Sequence, residues 1–124
     1  MRFEEAPDIK EMAVPIAEAL FENVDMGRMY FIRSRNTKTR AIARIWSLPK
    51  VWRKFFKVKA HYAVEVISEK FDELSFEEKE KVIIHELMHV PKGFSGGLVP
   101  HNCFGKKIGM KEVNAFHKEY KSKS

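Results

Sequence analysis

A helix that starts at Ser75 and carries His85-Glu86-Leu87-Met88-His89 constrains this chain more than any other stretch. Ser75 opens it as an N-cap, and Glu78 lies three residues on, where a capping box needs its second member. Glu77, Glu78 and Glu80 fill the first turns, which suits the positive end of a helix dipole. Val82, Ile83, Ile84, Leu87 and Met88 surround the helix rather than forming one stripe, so it is expected to be buried on most sides. Val90-Pro91 should end it, because a residue before proline avoids the helical region. Pro91, Gly93, Gly96 and Gly97 make the next stretch a turning loop.

On such a helix His85 and His89 share one face, one turn apart, and both imidazoles can reach one metal ion. Glu86, beside the first of them, projects close enough to act on a metal-bound water. The competing reading is a buried or surface helix with two unrelated histidines. A catalytic zinc site usually takes three protein ligands and keeps one position for water. The best third candidate is His101, twelve residues after His89 and just beyond the glycine-rich loop, where a chain reversal can return it. Glu112 and Glu119 rank below it. Cys103, two residues past His101, reads better as a small buried or loop thiol than as a ligand.

The segment "VIIHELMHVPKGFSGGLVPHNCFG" resembles the active-site segment of a phage and archaeal metallopeptidase family, within the SprT-like group of zincins. The resemblance is strongest over residues 62–104 and extends more weakly through "ARIWSLPKVW" and "HYAVEVISEKFDEL". It implies His85, His89 and His101 as ligands of Zn2+, Glu86 as general base, and an extended protein or peptide substrate held along a sheet edge above the metal. The shorter spacing of metzincins is absent, and no thermolysin-like glutamate ligand is evident. A second donor for the oxyanion would come from a tyrosine or histidine; Tyr62, Tyr30 and Tyr120 are open candidates. His61 and His117 read as ordinary residues, the latter half-exposed.

Length and patterning fit one α+β domain over residues 1–124, with 44% hydrophobic content for a modest core. A helix is expected over 8–23, with Ile9, Met12, Ala13, Ile16, Ala17 and Leu20 on one side and either a kink or a true start at Pro15. Residues 29–33 and 40–46 look like strands around a polar turn at 34–39, and 62–67 alternates as a third. Val51, Trp52, Phe55 and Phe56 are spaced for a short helix whose other face carries Arg53, Lys54 and Lys57. A final helix spans 110–120, with a frayed lysine-serine tail. This is the order the zincin resemblance implies: N-terminal helix, a sheet of three or more strands, metal helix, C-terminal helix.

One cysteine excludes an intrachain disulfide and fits a reducing compartment. The acidic start lacks a signal-peptide pattern, and no apolar run approaches bilayer length, so a cytoplasmic protein with no membrane partner is expected. The net charge of +6 is local in origin, for no acidic residue lies between Asp25 and Glu65. Eleven cations fall there, from Arg28 to Lys59. Such a run draws phosphates or an acidic protein, making nucleic acid a possible partner through segment 28–59. Trp46 and Trp52 are interleaved with it, though each sits in an apolar pattern that favours the core. No helix-turn-helix or zinc-finger spacing is present. Three functions therefore compete: a metallopeptidase, a basic binding module that keeps a zinc site without turnover, and a metal-dependent hydrolase of another bond.

Overall fold

The computed structural model describes residues 2–103 and 106–123, except the side chains at 102, 103, 106 and 107. It is α+β: five helices and a four-stranded mixed sheet among the described residues. The strands are β1 (Arg2–Glu5), β2 (Met29–Arg35), β3 (Ala43–Ser47) and β4 (Tyr62–Ile67), in the order β1-β2-β4-β3. The helices are α1 (Pro7–Leu20), α2 (Lys50–Phe56), α3 (Ser68–Phe71), α4 (Phe76–Leu87) and α5 (Met110–Lys123). A small ribbon of β5 (Asn102–Cys103) and β6 (Lys106–Lys107) precedes α5.

β4 is buried along nearly its whole length, which suits a central strand covered on both faces. It pairs parallel with β2 and antiparallel with β3. The strands expected around the 34–39 turn therefore do not pair with each other; β4 lies between them. β1 is the fourth strand, antiparallel to β2 and exposed throughout, so no apolar alternation in its sequence marks it.

One face of the sheet meets the helices. Met29, Phe31, Tyr62, Val64 and Val66 pack against Ile9, Ala13, Ile16 and Ala17 of α1 and Ile83, Ile84 and Leu87 of α4, with Val113 of α5 in the same core. α1 runs unbroken through Pro15, which sits on its exposed side, and it stops at Leu20 rather than at 23. α5 continues to Lys123, beyond the expected end. α4 and α5 are joined by a buried polar contact: His117 Nε2 lies 3.1 Å from Glu80 Oε1, which also receives Lys121 Nζ at 2.8 Å. His117 is thus 7% exposed, not half-exposed as its sequence context suggested.

The other sheet face carries the row Tyr30, Ala63, Trp46 and the row Ile32, Glu65, Arg44. Glu65 has no exposure, yet it accepts from Arg44 Nε at 2.7 Å and from Trp46 Nε1 at 2.7 Å. The expectation of core tryptophans fails here. Trp46 lies over the outer face, and α2 is turned with Trp52 50%, Phe55 77% and Phe56 64% exposed. Arg53, from the face read as solvated, points inward instead.

Burial opposes ionisation of Glu65, but the bonds from Arg44 and Trp46 outweigh it and hold the carboxyl below its ordinary 4.5. The depressed folded value means that Glu65 stabilises the fold above the unfolded value. That contribution is lost as pH falls through the folded one. Glu65→Gln should cost about 1–3 kcal/mol at neutral pH, and urea denaturation should show the gap to wild type closing as pH drops below the usual carboxylate range.

Candidate metal centre

α4 starts as its sequence requires. Ser75 Oγ accepts from Glu78 N at 3.2 Å and Glu78 Oε1 accepts from Ser75 N at 3.1 Å, which completes the capping box. The regular helix ends at Leu87, and His89 follows in the terminal turn, its N–H bonded to Glu86 O at 3.1 Å. His85 and His89 still face one another, with ring centroids 5.1 Å apart.

His101 joins them through the reversal predicted from the glycines. Val99 N donates to His89 O at 2.7 Å, and His89 Nδ1 donates to Val99 O. These two bonds close a ring between residues 89 and 99, and they place His101 with its ring centroid 4.6 Å from that of His89 and 5.3 Å from that of His85. One ligand atom from each histidine lies within 4.8 Å of the others.

The tautomers follow from the partners. His89 gives its Nδ1 proton to a carbonyl, leaving Nε2 as the lone-pair nitrogen. Burial holds His89 below the usual histidine range, so the ring is neutral at neutral pH. His85 Nδ1 is 2.9 Å from Glu86 Oε2, which likewise leaves its Nε2 free of that contact. Three converging imidazoles fit a divalent metal of the zinc type. Glu86, 5% exposed, is beside them.

A cleft of about 770 Å³ opens over these four residues. Its opposite wall is the segment from Arg40 to Ile45, including edge strand β3, and Leu98, Val99 and Pro100 close one side. Sequence reasoning found the four polar residues but not this wall. The strand was visible as a strand, whereas its place at the edge depends on β4 entering the sheet between it and β2. The carbonyl of Val99 was invisible too, since a backbone acceptor carries no residue signal.

Other candidates lie elsewhere. Glu112 accepts from Gly109 N at 3.1 Å and Glu119 pairs with Lys123 Nζ at 3.3 Å, so neither enters the histidine cluster. The Cys103 side chain lies outside the described residues. None of the three tyrosines lines the cleft. Tyr30 is on the outer sheet face beside His61, with its Oη 3.3 Å from His61 Nδ1. Tyr120 is on α5 against the core.

Tyr62 holds the loop instead. Its hydroxyl donates to Gly97 O at 2.9 Å and accepts from Gly96 N at 2.8 Å. Burial pushes its pKa up, so the donating proton stays on. Phe94 packs edge-on against the same ring at 4.9 Å.

Residues 1–121 match the family model described as "Putative phage metallopeptidase", and the chain belongs to that family. No curated protein and no solved structure matched.

Gly96 has φ +97°, and a Cβ there would lie 2.6 Å from Arg53 Cζ. Gly96→Ala must therefore strain the backbone and displace a guanidinium whose Nε is already buried without a partner among the described residues. We expect a loss of about 1–3 kcal/mol in urea denaturation. Gly93→Ala, where nothing lies within 4 Å, should stay within about 1 kcal/mol of wild type.

Proposed function

We propose that this chain is one zincin-like domain that hydrolyses peptide bonds with a zinc ion held by His85, His89 and His101. The observation that carries the reading is the convergence of the three imidazoles beside Glu86, at the floor of a cleft walled by an edge strand. When bound, the metal would supply Lewis acidity to the scissile carbonyl and to the attacking water.

The protein groups then divide the work. Glu86 takes a proton from the water as it attacks the carbonyl carbon and passes that proton to the leaving amine. Its burial excludes bulk water from that transfer. His89 is oriented by Val99, and the glycine loop behind Val99 is fixed by Tyr62. β3 is antiparallel to β4 on one side and has no strand on the other among the described residues. An extended peptide can pair with that free side, gaining affinity from backbone bonds without demanding a sequence. The apolar side chains of Ile42, Ile45 and Leu98 along the cleft would then receive side chains of the substrate.

Support for a peptidase over a binding module with idle zinc comes from Glu86. A structural site needs no buried carboxylate next to its ligands and usually fills its fourth position with protein. The lone cysteine suits the reducing cytoplasm as the place of action. No helix among the described residues is long and apolar enough to cross a membrane.

Glu86→Gln should keep its metal and lose peptidase activity by about 10²–10⁴-fold, measured on a casein or peptide-library digest beside zinc content. His101→Ala should lose both. Full activity in Glu86→Gln would remove the general-base role and with it the proposed mechanism.

A further inference from the structure

The molecule has a second surface, on the sheet face away from the helices, that the metal site does not use. Tyr30 is 51% and Trp46 48% exposed there, on one cross-strand row with Ala63 between them. The outward-turned face of α2 continues the patch. Between them is a recess of about 510 Å³ lined by Tyr30, Trp46, Phe56, Val58 and His61. An aromatic patch this contiguous is unusual on a chain with no partner for it.

The charges say what the partner is. The basic run divides into two populations. Its arginines are largely neutralised within the fold: Arg28 by Asp25, Arg33 by Asp8 and Asp72, Arg35 by Glu4, and Arg44 by Glu65. Lys50, Lys54 and Lys57, on and just after α2, are exposed and enter no ion pair among the described residues. No acidic residue lines the recess. The surface therefore combines aromatic rings with uncompensated ammonium groups, which is what a strand of unpaired nucleotides requires.

Shape separates this partner from a bilayer. Tyr30, Trp46 and Phe56 border a recess that a planar base can enter and that a bilayer surface would merely span. Tyr30 and Trp46 stand on strands two apart, about 10 Å, so they would receive separate bases. A duplex keeps its base faces stacked and offers none to these rings.

We propose that the outer sheet face and α2 bind single-stranded nucleic acid, with bases on Tyr30, Trp46 and Phe56 and phosphates along Lys50, Lys54 and Lys57. Stacking and phosphate contacts carry no base code, so binding is independent of sequence.

Trp46 and Trp52 are the chain's two tryptophans, and both lie in this surface, so its own fluorescence reports the interaction. Oligothymidylate is titrated into the full chain at low salt while tryptophan emission is followed. The expected result is saturable quenching, with affinity that falls steeply as salt rises. Lys50→Glu with Lys54→Glu should weaken binding at least about tenfold, and Tyr30→Ala by about fivefold or more. All three side chains are exposed, and an unchanged urea midpoint establishes that the variants fold. The proposal is overturned by no quenching and no binding at low salt. Equal affinity for a duplex overturns it, as does indifference to both variants. It also fails if phosphatidylglycerol vesicles are bound while the oligonucleotide is not.

Discussion

The pair of hydrogen bonds between His89 and Val99 is the contact on which the rest of the site depends. A helix supplies two imidazoles by its own periodicity, but a third ligand must be brought back from outside it. Here the return is made by backbone: Val99 N–H to the His89 carbonyl, and the His89 ring to the Val99 carbonyl. One carbonyl thus fixes the tautomer of one histidine and the position of the next. The turn that allows it is held from beneath by Tyr62, which reaches out of the central strand to Gly96 and Gly97.

That dependence explains which parts of the molecule were legible in the sequence. The capping box, the buried helix and the glycine reversal are local patterns, so Ser75, Glu78, His85, Glu86, His89 and His101 all stand where their spacing placed them. Strand β4 was equally plain, a run of apolar residues broken only by Glu65. The missing information is long-range. β1 is exposed at every position and exists only because β2 offers it a partner. Residues 29–33 and 40–46 look like a hairpin because they are close in sequence, yet β4 pairs with both and separates them. His117 looked half-exposed because its partner Glu80 is 37 residues away on another helix.

Helix α2 shows a different limit. Periodicity revealed that its aromatic and basic residues lie on opposite sides, but not which side faces in. The answer comes from Gly96. With no side chain there, the loop leaves a space that the Arg53 guanidinium fills, and drawing Arg53 inward turns Trp52, Phe55 and Phe56 out. The same small residue that lets the chain return His101 to the helix is therefore in contact with the element that shapes the second surface. Arg53 thus links the glycine loop that precedes His101 to the helix that borders the aromatic patch.

The central claim is a three-histidine zinc site, and X-ray absorption at the zinc edge of the metal-loaded protein tests it most directly. The account predicts about three nitrogens and one further light-atom ligand near 2.0–2.1 Å, with the outer-shell scattering of three imidazoles. A sulfur at about 2.3 Å would bring Cys103 into the shell. Only two imidazoles would remove His101. Either result would contradict the arrangement on which the proposed peptidase rests.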